Sequence, residues 1–128
     1  MTIELNHTIV PARDPEASAH FLAGILGLSV DPRVAHFTPV TLANGVSLDY
    51  DQAEDFEPHH YAFMVGEEEF DAALARIQRG GVTYYGDPRC TEIEQIYRSK
   101  HVEGRRGTYF RDPDGHLMEI LTRGGAES

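Results

Sequence analysis

His7-Thr8-Ile9-Val10 and His60-Tyr61-Ala62-Phe63 are two short apolar runs that each open on a histidine, and each histidine stands 20 residues ahead of a glycine, Gly27 or Gly80. The offset between the two patterns is 53 residues at both places. A repeat of this kind marks a tandem duplication, and one small module cannot bury both faces of its own sheet, so the two are expected to pack together. From Ile3 to Val10 the apolar set Ile3, Leu5 and Ile9 alternates with Glu4, Asn6 and Thr8, the period of a half-buried strand, and His7 falls on the apolar side.

Asp14 can cap a helix with Pro15 at its first turn, and Gly27 can take the left-handed conformation that stops it. Phe21, Ile25 and Ala17 form the expected packing stripe. Strands are expected around Ser29 to Val30, Phe37 to Leu42 and Val46 to Tyr50, the last two joined by the hairpin signal Asn44-Gly45. An acidic linker from Gln52 to His59 then hands over to a second round. His60 to Val65 reads as a strand and Glu67 to Arg79 as a helix with Phe70, Leu74 and Ile77 on one face. Val82 to Tyr85, Gly107 to Arg111 and Leu117 to Thr122 are the remaining strands. The expected fold is α+β, a single domain over residues 1–128. It is made of paired β-α-β-β-β modules, about 3–51 and about 60–123, that form a curved mixed-sheet cup with helices outside. Asp87 to Arg106 has no clean period and is expected to be a lid or partner-contacting segment, with a helical turn within Glu92 to Lys100.

The chain has 11 Lys and Arg against 21 Asp and Glu, a net charge of -10, so nucleic acid is not an expected partner. No stretch reaches the roughly 20 apolar residues that span a bilayer, and Met1 to His7 lacks a charged region followed by an apolar one, so no membrane contact and a cytoplasmic location are expected. The single Cys90 excludes an internal disulfide. Within this acidic chain Arg98, Lys100, Arg105 and Arg106 crowd one segment, where Arg105 or Arg106 could clamp an anionic substrate.

Glu119 stands inside the strand Leu117-Met118-Glu119-Ile120-Leu121, where a plain core strand has no carboxylate. Burying that charge without a partner costs several kcal/mol, so a cation is the economical partner. A lone histidine in a strand is usually a core or interface residue. His7 and His60 at related positions in a duplicated fold, with Glu119, instead form a candidate metal shell. The turn Asp112-Pro113-Asp114-Gly115 joins the last two strands, and two registers are open. A four-residue loop sets Thr108 against Glu119. A five-residue loop ending at His116 sets Tyr109 there, and the second is preferred.

The paired modules, the His60-Tyr61-Ala62-Phe63 strand and the segment from Tyr109 through Arg111-Asp112-Pro113-Asp114-Gly115-His116 to Glu119 resemble the vicinal oxygen chelate (VOC) superfamily, over residues 3 to 123. That superfamily includes glyoxalase I, extradiol dioxygenases, fosfomycin resistance thiol transferases and bleomycin-binding proteins. The resemblance implies metal ligands at His7, His60 and Glu119 and a homodimer. It implies a divalent ion, with Fe(II) or Mn(II) favoured and Zn(II), Ni(II) or Co(II) also compatible. Glyoxalase I has a fourth ligand whose equivalent looks like Ser47, with Asp49 two residues on; both are candidate substrate-binding residues. Extradiol dioxygenases place a tyrosine ten residues before the glutamate and a histidine a little earlier, matching Tyr109 and His101 as catalytic candidates, although Ser99 and Thr108 depart from that signature. Fosfomycin transferases share the last motif and resemble Leu48-Asp49-Tyr50-Asp51, but Ile9 replaces their pocket threonine and the long 87–106 segment replaces their short loop. The expected activity is therefore a metal-dependent reaction on a small molecule, anionic or aromatic, chelated through vicinal oxygens, with dioxygenase-like chemistry preferred. Isomerase, lyase or thiol-transfer chemistry and metal-free antibiotic binding are the alternatives.

Overall fold

The computed structural model describes residues 2–125, and the chain divides between Glu57 and Pro58 into two compact units. The first holds β1 (His7–Ala12), α1 (Pro15–Leu26), β2 (Thr38–Thr41) and β3 (Ser47–Gln52). The second holds β4 (His60–Val65), α2 (Glu67–Arg79), β5 (Tyr84–Tyr85), β6 (Tyr97–Arg98), β7 (Arg106–Arg111) and β8 (Leu117–Thr122). Each unit has its own mixed sheet, β1-β3-β2 in the first and β4-β8-β7-β5 in the second, with β6 also on β7. The α+β class stands as read from the sequence. Among the described residues no helix is long and apolar enough to cross a membrane.

In both units the opening strand pairs parallel with the closing strand: β1 with β3, His7 opposite Ser47, and β4 with β8, His60 opposite Leu117. A helix makes each crossover, as parallel pairing requires. Asp14 Oδ1 accepts the Ala17 amide at 3.1 Å, Pro15 follows, and Gly27 (φ 74°) ends α1. The stripe that α1 buries is Ser18, Leu22 and Ile25 with Ala19 and Ala23; Phe21 is half-buried and Ala17 exposed, one step around the helix from the expected face. It covers Val10, Ala12, Val40, Leu48 and Tyr50. In the second unit Phe70, Ala73 and Ile77 of α2 are buried, as are Phe110, Met118 and Ile120 of the sheet, while Leu74 is half-buried.

Three expected elements differ. Ile3 to Asn6 are not part of β1, because the last contact is Ser47 N–H to Asn6 O at 3.0 Å and β3 begins there, leaving nothing to pair with Ile3 or Leu5. Ser29 to Val30 is not a strand. A single backbone bond, Asp31 N–H to Pro39 O at 2.9 Å, joins that segment to β2, with Thr41 Oγ1 donating to Asp31 Oδ2 at 2.6 Å beside it, and Pro39 lacks the amide hydrogen that would return the backbone bond. The segment between β5 and β7 contains no helix; it is laid along β7 as the strap that includes β6.

Both hairpins are built alike. Gly45 (φ 90°) donates to Leu42 O and Leu42 N–H to Val46 O, while Gly115 (φ 86°) donates to Asp112 O and Asp112 N–H to His116 O. A turn closed by a left-handed glycine adds one residue to the loop and fixes the register. The five-residue loop from Asp112 to His116 thus sets Tyr109 opposite Glu119.

Candidate active site

The second unit assembles its site on one face of β4, β8 and β7. Residues opposite each other across paired strands share a face, so Ala62 and Tyr109, both opposite Glu119, fix which way each strand points there. His60, two residues before Ala62, stands on that face, and its Nε2 lies 3.0 Å from Glu119 Oε1. Glu119 is 8% exposed. No arginine or lysine forms an ion pair with it among the described residues. The buried carboxylate is held by the imidazole and by a phenol, Tyr97, whose hydroxyl donates to Oε2 at 2.5 Å.

Tyr109 lies beside this pair. Its ring centroid is 6.1 Å from that of His60 and 5.6 Å from that of Tyr97. Burial first, then the charge of Glu119 and hydrogen bonding to it, push the Tyr109 phenol above its ordinary pKa. Burial, then the Glu119 hydrogen bond and charge, raise Tyr97 as well. Both phenols therefore stay protonated at neutral pH and act as donors.

Alternation along β7 separates two candidates that are neighbours in sequence. Arg105, with Gly107 and Tyr109, has the parity of the Glu119 face, and its Nε donates to Thr122 O at 2.9 Å. Arg106 turns to the other side, where it meets Glu67 Oε1 at 2.9 Å and Asp71 Oδ1 at 2.8 Å and stacks on Phe70 at 4.2 Å. His101 is exposed in the turn before β7; its backbone amide binds Ser99 Oγ at 3.1 Å, and its side chain meets neither His60 nor Glu119.

In the first unit, His7 is the exposed first residue of β1, its Nδ1 2.8 Å from Asn6 Oδ1. The pairing sets Asp49 opposite Ile9, as Glu119 is opposite Ala62, so Asp49 and not Ser47 is this unit's counterpart of Glu119. Ser47 Oγ donates to Asp49 Oδ1 at 2.6 Å. Both line an open cavity of about 460 Å³ with Asp31, Arg33, Phe37 and Pro39.

Tyr97 is the residue that sequence reasoning missed. It lies in a two-residue strand inside a 20-residue segment, too short for any alternation to register.

A family model described as the Glyoxalase/Bleomycin resistance protein/Dioxygenase superfamily matches residues 4–120. Among solved structures, Oxidase ChaP-H2 is 50% identical with a TM-score of 0.90, the match covering 99% of this chain and 98% of that one. Glutathione transferase FosA of Serratia marcescens is 32% identical over 127 residues, 94% of this chain and 81% of its own length. Metallothiol transferase FosB of Shouchella clausii (strain KSM-K16) is 32% identical over 99 residues, 74% of this chain and 61% of its own length. With a family model spanning nearly the whole chain and a curated relative above 30% identity, this protein belongs to the glyoxalase/bleomycin resistance protein/dioxygenase superfamily.

Proposed function

We propose that this protein is a metal-dependent enzyme that oxidises a small, oxygen-rich molecule held through two adjacent oxygens. One observation supports this above the others: a buried carboxylate faces an imidazole at 3.0 Å with two phenols around it and, among the described residues, no arginine or lysine in an ion pair with it. Such a nitrogen and oxygen donor pair suits Fe(II) or Mn(II). His60 and Glu119 are the two ligands that the second unit would offer, and among the described residues no group of three or more His, Cys, Asp or Glu is gathered around a metal site. A bound ion would act as Lewis acid and template for the substrate oxygens and the oxidant. Tyr109 donates a hydrogen bond to substrate oxygen as negative charge develops, and Arg105 balances that charge from the same face. The face bearing Tyr97 and Tyr109 suits an aromatic substrate such as a catechol. An enzyme named an oxidase at 50% identity favours oxidation over the other chemistries of the superfamily.

Thiol transfer is the second reading, favoured by the 32% identity with a glutathione transferase and a metallothiol transferase. A homodimer is part of the proposal, since Ile9 on β1 and Met64 on β4 are exposed on edge strands.

The test begins with elemental analysis of protein purified without chelators, followed by catechols and hydroxylated aromatics in an oxygen electrode. Metal near one ion per chain with substrate-dependent oxygen uptake is the expected result. Turnover that needs a thiol and continues anaerobically would replace oxidation with thiol transfer. Protein that neither retains nor takes up a divalent ion ends both readings.

A further inference from the structure

We infer that Tyr97 is a positioning residue, supplied by the strap between β5 and β7, that fixes the Glu119 carboxylate for a metal ion. The inference rests on the metal site proposed above. The two carboxylate oxygens have different partners: Oε2 takes the Tyr97 hydroxyl at 2.5 Å, and Oε1 faces His60 Nε2 at 3.0 Å. A carboxylate on a flexible side chain can rotate, and one strong hydrogen bond to its far oxygen leaves the near oxygen aimed at the imidazole.

The rest of the strap is built to hold that hydroxyl in place. Tyr97 and Arg98 pair with Gly107 and Arg106. Two residues earlier, the buried Thr108 hydroxyl lies 3.2 Å from Gln95 O and 2.9 Å from Tyr85 O, tying both ends of the strap's first loop to β7. The Tyr97 ring lies directly over Gly107. A Cβ at that position would stand about 2.4 to 2.5 Å from Cζ, Oη and Cε2 of the ring, closer than real contacts allow. Glycine at 107 is thus the condition for the ring to reach across β7 to β8. The two tyrosines differ in place: the Tyr97 hydroxyl bonds Glu119 Oε2 at 2.5 Å, while Tyr109 lies beside the carboxylate with its ring centroid 6.1 Å from that of His60.

The test titrates Mn(II) alone into metal-free protein, followed by calorimetry and by the Mn(II) electron paramagnetic resonance spectrum. Tyr97→Phe removes only the hydroxyl and is expected to weaken Mn(II) binding roughly 10- to 100-fold and to change the spectrum, with the melting temperature of the metal-free protein shifted by no more than a few degrees. Gly107→Ala keeps the hydroxyl but displaces the ring, and is expected to weaken binding similarly. Tyr84→Phe, on the opposite parity of β5, is expected to stay within about threefold of the parent. If the parent binds Mn(II) and Tyr97→Phe binds it within about threefold with the same spectrum, the positioning role is overturned while the metal site stands. If the parent itself does not bind, it is the metal site that fails.

Discussion

Asp49 and Glu119 occupy matching places in the two units, yet only Glu119 is buried and held by side chains from other strands. Each lies on the strand that closes its unit, two residues past the partner of the opening histidine. Asp49 is half-exposed and held by Ser47 on its own strand at 2.6 Å. Glu119 is buried, and its partners come from two other strands, β4 and β6. The second unit has 20 residues between β5 and β7 that include β6, and with them Tyr97. The strap between β5 and β7, present in the second unit alone, thus distinguishes the two carboxylates by giving Glu119 a phenol donor.

Exchanging charge for amide at both positions is the strongest way to break this comparison. Glu119→Gln is expected to lower affinity for Mn(II) by more than about 100-fold, beyond the range found when only a supporting residue of a metal site is lost. The same variant is expected to leave the metal-free protein as stable as the parent or more so, because it removes a buried charge. Asp49→Asn is expected to change Mn(II) affinity by less than about threefold. Equal losses in the two variants would mean that the units contribute alike and that the burial difference does not matter.

The hairpins give a second comparison, with a smaller expected effect on a different quantity. The two turns share their hydrogen bonds, but position 46 is a half-buried valine and position 116 a fully buried histidine. His116 Nδ1 accepts the His59 amide at 2.9 Å, and Asp112 Oδ1 accepts the amides of Asp114 and His116 at 2.9 Å each. The last turn of the chain is thereby fastened to the strand that begins with His60. His116→Ala leaves a cavity and an unpaired amide and is expected to cost about 2–4 kcal/mol in urea unfolding. Val46→Ala is expected to cost less than about 1 kcal/mol. A small loss at 116 would show that the glycine turn alone holds the register.

What the sequence made legible follows from the range of each interaction. Local signals were sufficient for α1, where Asp14, Pro15 and Gly27 each act within one turn, and for both glycine hairpins. The repeat made His60 visible as a candidate, a carboxylate inside an apolar strand did the same for Glu119, and the five-residue loop set Tyr109 beside it. The separation of Arg105 from Arg106 was also implicit, since neighbours on a strand face opposite ways. Which of them faced α2 depended on where Glu67, Phe70 and Asp71 would lie, and these are more than 30 residues away. Tyr97 was hidden because its role depends on a glycine ten residues later and a glutamate 22 residues later, neither at a spacing that any regular element produces.

The edge beside β2 offers the finest comparison, since the second unit has β5 and β6 on the matching strand β7 and the first has one backbone bond. Pro39 O accepts the Asp31 amide, so the nitrogen of Pro39 points at the same edge but has no hydrogen to return. Pro39→Val supplies that hydrogen opposite the Asp31 carbonyl. The gained bond is worth about 1 kcal/mol, and the freer unfolded chain takes back a similar amount, so net stability is expected to move by less than about 0.5 kcal/mol. The informative measurement is hydrogen exchange at the new amide, expected to be protected as an ordinary ladder amide is. Rapid exchange there would mean that the Asp31 carbonyl does not take up the new amide, and that the missing hydrogen of Pro39 is not what keeps the first unit at three strands.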